Sequence, residues 1–148
     1  MLLVEDSAVD AELIVASLGG SPSPARIHIA PDGIDALDYI FCRGNYAHRA
    51  FDAAPRLVLL DLKLPKVSGF EVLQEIKSDS RTRAVPVVML TSSAITHDVA
   101  RAYQLGANSY IQKPVDFAEF RETVRLLSRY WLLLNQAVPA MTLRGDHV

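Results

Sequence analysis

The sequence predicts a doubly wound α/β sandwich, a five-stranded parallel sheet with helices on both faces. Three observations predict it. Five short apolar runs recur along the chain, stretches with helical apolar spacing lie between them, and three of the runs are apolar throughout rather than alternating. Continuous apolar runs suit strands buried on both faces of a parallel sheet. Regular alternation of strand and helix implies right-handed crossovers that cover both faces.

The first run is Leu2–Val4. Ser7 is then a candidate N-cap, and Val9, Leu13, Ile14 and Leu18 lie on one helical face until Gly19-Gly20 stops it. Ser21-Pro22-Ser23-Pro24 reads as a surface turn. Ile27–Ala30 is the second run, and Ile34, Leu37 and Phe41 begin a helix after Asp32-Gly33. Gly44 to Pro55 reads as a longer connection or an extension of that helix. Leu57–Leu60 is the third run, followed after Ser68-Gly69 by Phe70, Val72, Leu73 and Ile76. Val87–Leu90 is the fourth, followed by Val99, Ala102, Tyr103 and Leu105, with Gly106 as the stop. Ser109–Ile111 is the fifth, and Asp116 caps a last helix carrying Phe117, Phe120, Val124 and Leu127.

A chain of 148 residues fits one domain with a real core, and half apolar with 22% charged is an ordinary globular balance. A net charge of -2 argues against a general binder of nucleic acid or membrane surfaces, which would show a basic excess. Cys42 is the only cysteine, so no internal disulfide forms and a reducing compartment is the simpler reading. The apolar start meets Glu5 and Asp6 too soon for a signal sequence, and no run is long enough to span a bilayer. A cytoplasmic protein is expected.

Acids sit where the apolar strands end: Glu5 and Asp6 after the first, Asp61 after the third. Open α/β sheets bind ligands beyond the carboxyl ends of their strands, where strand order reverses. If the first and third strands are neighbours, three carboxylates converge there. Two like charges about 4 Å apart cost about 4 kcal/mol at an effective dielectric of about 20, so the group would raise one pKa or hold a cation. Oxygen ligands in a partly open site favour Mg²⁺, which keeps waters and shares phosphate oxygens. An aspartate beside it can act as a nucleophile. Lys113 and Thr91, at the ends of the fifth and fourth strands, would contact phosphoryl oxygens. Taken singly, Glu5 or Asp6 would be read as a solvated helix-start charge and Thr91 as a cap; the constellation lifts them.

Leu3-Val4-Glu5-Asp6, Leu59-Leu60-Asp61-Leu62-Lys63-Leu64-Pro65 with Gly69, Val88-Met89-Leu90-Thr91-Ser92, and Gly106-Ala107 through Lys113-Pro114 together resemble the receiver domain of two-component response regulators. The resemblance covers roughly the first 130 residues. It implies a flavodoxin-like sheet of order 2-1-3-4-5, with Asp61 as the acceptor of a phosphoryl group from a histidine kinase. It implies Mg²⁺ held by the side chains of Glu5, Asp6 and Asp61 and the backbone carbonyl of Lys63. Thr91 and Lys113 would contact the phosphoryl group, Thr91 and Tyr110 would form the switch, and Lys113-Pro114 would be a cis peptide. Such a domain is not an enzyme beyond Mg-dependent self-phosphorylation and self-dephosphorylation.

The long segment from Tyr39 to Pro55 and the ending Tyr130 to Gln136 resemble single-domain regulators that serve phytochrome-type histidine kinases. The expected division is a receiver domain over residues 1–130 and a C-terminal extension over 131–148. Eighteen residues after Tyr130 leave no room for a DNA-reading helical module, so protein contact is the expected output. Trp131, Leu132, Leu133 and Leu134 either pack back on their own domain or complete a two-fold homodimer, the reading preferred here. Two rival functions fit less well. An aspartyl-phosphate phosphatase generally wants a second acid two residues after its nucleophile, where Lys63 stands. A nucleotide or flavin binder would need a glycine-rich loop where Glu5-Asp6-Ser7 stands. A degenerate scaffold receiver is disfavoured because every motif position is filled.

Overall fold

The computed structural model describes residues 1–19 and 26–139. Its elements run β1 (Leu2–Val4), α1 (Ala8–Ser17), β2 (His28–Ala30), α2 (Gly33–Ile40), β3 (Val58–Leu60), α3 (Gly69–Ser78), β4 (Val87–Thr91), α4 (Thr96–Gln104), β5 (Ser109–Gln112) and α5 (Phe117–Ser128). All strand pairs are parallel and the order is β2-β1-β3-β4-β5, the flavodoxin-like order expected. β1 and β3 are therefore neighbours, with Val4 in register with Leu60. The strand ends shift by a residue: β2 and β3 begin one later than expected, while β4 and β5 run on to Thr91 and Gln112. The expected turn at Ser21 to Pro24 lies outside the described residues.

The apolar runs are continuous because successive strand residues point to opposite, equally buried faces. Leu2, Val4, Val58, Leu60, Val87 and Met89 join Ala36, Leu37 and Ile40 of α2, Val72, Leu73 and Ile76 of α3 and Ala102 of α4. Leu3, Leu59, Val88 and Leu90 join Ile14 of α1 and Phe120, Val124 and Leu127 of α5. Removing a large core side chain of this kind costs about 2–5 kcal/mol.

Side-chain caps set the starts of α1, α2, α3 and α5, while α4 follows Ile95 without one. Ser7, Asp32, Ser68 and Asp116 accept from the backbone N–H groups of Asp10, Asp35, Glu71 and Glu119. α2 and α3 thus include Gly33 and Gly69 rather than starting after them. Val9, Ile34 and Phe117, expected on buried faces, are exposed by 69%, 45% and 67%. Each lies in the first turn of its helix, at the carboxyl edge of the sheet where the preceding strand has ended. α4 is buried fully only at Ala102; Tyr103 is half exposed, and the helix ends at Gln104 before Gly106 at φ 103.

The segment after α2 is no extension of that helix. It makes two short 3-10 turns, Gly44–Tyr46 and Phe51–Ala53, because Cys42 and Gly44 take left-handed backbone conformations at φ 54 and 58. Aromatic packing fixes it: His28 stacks on Tyr39 at 4.1 Å, and the Arg49 guanidinium sits 3.7 Å from the Tyr39 ring centre. The Tyr46 hydroxyl donates to Asp35 at 2.8 Å.

α5 runs directly into a π-helical turn, Arg129–Leu134, closed by a bond from Asn135 N to the Tyr130 carbonyl at 2.6 Å. The wider turn splits the apolar run. Leu132 is buried and Trp131 packs against the same layer as α1 and α5, while Leu133 and Leu134 are 66% and 64% exposed. The chain then crosses to the other layer, where Val138 packs.

Candidate functional site

The site forms at the carboxyl edge of the sheet. Glu5 and Asp6 follow β1, Asp61 follows β3, Thr91 ends β4, and Lys113 follows β5. Backbone bonds carry the strand spacing past the strands: Asp61 N donates to the Val4 carbonyl at 3.2 Å and Lys113 N to the Thr91 carbonyl at 2.7 Å. Residues up to 108 positions apart therefore arrive at one crevice.

Lys113 Nζ stands 2.8 Å from Glu5 Oε2, 2.8 Å from Asp10 Oδ2 and 3.0 Å from Asp61 Oδ2. Glu5, Asp6 and Asp61 each offer an oxygen within 4.8 Å of the others. The Lys63 N–H donates to Asp61 Oδ1 at 3.3 Å and the Ser7 N–H to Glu5 Oε1 at 3.2 Å. Beneath Asp61, α3 begins so close that a Cβ on Gly69 would lie 2.1 Å from the Asp61 carbonyl oxygen. Only glycine fits there.

Burial raises both buried acids, and their neighbours set them apart. Glu5 is pushed up to about 7 by burial, which outweighs its bond to Lys113, and the Asp61 charge adds to the rise. Burial acts on Asp61 too, but Lys113, the Thr91 hydroxyl and the Lys63 amide together hold its carboxyl below the usual range. Lys113 is held above its ordinary value, since Asp10, Glu5 and Asp61 overcome its burial. One ammonium thus serves a crevice of four acids. The donor set fits a hard divalent cation: oxygens only, with Asp6 exposed to solvent so that a cation would keep waters.

Tyr110 is partly buried and its hydroxyl donates to the Ser93 carbonyl at 2.8 Å, just past β4. Burial, and the charges of Asp98 and Asp61, raise its pKa. Ser93 Oγ in turn donates to Asp98 at 2.7 Å, tying this loop to α4. Glu5, Asp6, Asp61, Thr91 and Lys113 meet at the crevice, and Lys63 borders it through its backbone N–H. The one the sequence did not single out is Asp10, since an acid in a first helical turn reads as a charge complementing the helix dipole.

A parallel sheet of this order, with acids after β1 and β3 and a lysine after β5, defines a receiver-type α/β switch domain. The chain belongs to the response regulator receiver domain family, whose model matches residues 1–125. It is 42% identical over 137 residues to the probable methanogenesis regulatory protein FilR2 of Methanothrix harundinacea, covering 93% of this chain and 86% of that protein. It is 36% identical over 132 residues to response regulator Rcp1 of Synechocystis, covering 89% and 88%. The phosphorylated cyanobacterial phytochrome response regulator RcpA superposes with a TM-score of 0.85 at 37% identity, over 92% of this chain and 95% of that one. Rcp1, solved with Mn²⁺ bound, also gives 0.85, at 35% identity over 93% and 96%. Receiver domains are signalling modules of two-component systems, phosphorylated by histidine kinases, and this one has phytochrome-associated homologues. Among the described residues no helix is long and apolar enough to cross a membrane.

Proposed function

We propose that this chain is a single-domain response regulator that takes a phosphoryl group on Asp61 from the phosphohistidine of a histidine kinase of phytochrome type. The observation that carries this is the meeting of Lys113, Asp61 and the Glu5–Asp6 pair at one sheet edge. In the transfer, a bond forms between an Asp61 carboxylate oxygen and phosphorus as the phosphorus–nitrogen bond breaks, its electron pair staying on the imidazole. The low pKa of Asp61 keeps the attacking carboxylate ionised. Lys113 and the Thr91 hydroxyl receive phosphoryl oxygens. Glu5, Asp6 and Asp61, with the Lys63 carbonyl, would hold Mg²⁺, which supplies positive charge to the transferring group.

Tyr110 and Thr91 are the proposed switch. Once Thr91 turns to the phosphoryl group, the tyrosine bond to Ser93 is free to change and the β4–α4 loop moves with it. The output is protein contact in the cytoplasm rather than nucleic-acid binding. Residues 1–130 act as the receiver, and 131–148 as an extension contributing to a homodimer through its outward side chains, Leu133 and Leu134. A phosphatase reading lacks its second acid, because Lys63 lies exposed two residues past Asp61.

Incubation with acetyl phosphate and Mg²⁺ tests the assignment. Mass spectrometry should find one phosphoryl group on the wild-type chain and none on Asp61→Asn; equal labelling of the two would sink it.

A further inference from the structure

Asp10 lies outside the proposed metal-ligand set, yet its Oδ2 is as close to Lys113 Nζ as Glu5 Oε2 is, at 2.8 Å. A lysine ammonium has three N–H donors, and Glu5, Asp10 and Asp61 accept from Lys113 Nζ in one set. The three acids are not equivalent. Glu5 and Asp61 are members of the carboxylate cluster, with side chains 2% and 10% exposed. Asp10 is not in that cluster, and its side chain is 35% exposed. Its backbone is fixed from below, since the Asp10 N–H donates to the capping Ser7 Oγ at 3.2 Å. The acid thus reaches Lys113 from α1, across 103 residues of sequence.

We propose that Asp10 is a positioning residue for Lys113, the one carboxylate that keeps the ammonium over Asp61 while Glu5 and Asp61 turn to other partners. The proposal rests on the reading of Asp61 as phospho-acceptor and deepens it. An Asp61 bearing a phosphoryl group has lost its carboxylate charge, and Glu5 is committed wherever a cation sits. Asp10 is then the acid left to hold the lysine, whose flexible four-carbon stem would otherwise wander. Holding the donor in place lowers the entropy cost of meeting the incoming phosphoryl oxygens.

The test uses the full chain as wild type, Asp10→Asn and Asp10→Glu. Two readouts are taken in Mg²⁺: the ¹⁵N–¹H resonance of the Lys113 ammonium and the initial rate of phosphorylation by acetyl phosphate. The resonance should be present in wild type and Asp10→Glu and broadened away in Asp10→Asn. The rate should fall about tenfold to a hundredfold in Asp10→Asn and recover in Asp10→Glu, with thermal midpoints close to wild type. A residue serving only α1 would shift the midpoint and leave the Lys113 resonance alone. An ammonium as well protected in Asp10→Asn as in wild type overturns the proposal. Should wild type show no phosphorylation while its resonance still depends on Asp10, the phospho-acceptor reading fails and the positioning of Lys113 stands.

Discussion

Glu5 and Asp61 share one crevice and one lysine, yet their affinities for protons diverge. Burial raises both, Lys113, the Thr91 hydroxyl and the Lys63 amide together bring Asp61 down, and the Asp61 charge adds to the rise of Glu5. A raised carboxyl pKa means the folded state holds a proton the unfolded chain has released. Glu5 therefore contributes stability that is present below its ordinary value of 4.5 and lost as pH rises toward about 7. Asp61 works the other way, its contribution being lost as pH falls through its lowered pKa. A cation at Glu5 competes with that proton, so Mg²⁺ should raise the thermal midpoint more at pH 8 than at pH 5. Glu5→Gln should abolish the difference, and a Mg²⁺ shift equal at both pH values would count against Glu5 as a ligand. Gly69 poses a packing problem at the same scale. A methyl group there must displace the Asp61 backbone, so Gly69→Ala should cost about 2–3 kcal/mol in denaturant unfolding and slow phosphorylation; a neutral substitution would refute the close approach.

At the level of elements, the π-helical turn after α5 is the informative one. It sends Leu132 into the core beside Leu18 and Leu127 and leaves Leu133 and Leu134 in solvent. Leu132→Ala should lower monomer stability by about 2 kcal/mol or more, whereas Leu133→Ala should change it by less than about 0.5 kcal/mol. Equal costs would mean the turn is wound otherwise. The run Trp131 to Leu134 reads as one apolar block in sequence, since its burial depends on a change of helical pitch that residue types do not announce. The connection after α2 is similar. Its two 3-10 turns follow from left-handed Cys42 and from the stacking of His28, Tyr39 and Arg49, contacts made across elements.

For the whole molecule, the proposed homodimer turns on the outward leucines. Leu126, Tyr130, Leu133 and Leu134 are all more than half exposed on α5 and its extension, an apolar stripe suited to a two-fold partner. Leu133→Asp with Leu134→Asp should convert a dimer to a monomer in light scattering while leaving the phosphorylation of Asp61 intact. An unchanged mass would remove this face as the contact.

By itself the sequence determined the sheet, its helices, the caps at Ser7 and Asp116 and the crevice residues other than Asp10. Apolar periodicity, capping side chains and the acids at strand ends are local properties, and a parallel sheet aligns strand ends whatever the loops do. Tertiary structure alone decided that Asp10 joins Lys113, that Glu5 rather than Asp61 carries the raised pKa, and that Val9, Ile34 and Phe117 face solvent. Each of these turns on depth and distance between elements. Charge pairing and burial are set by what a neighbouring strand or helix leaves uncovered, which no single segment encodes.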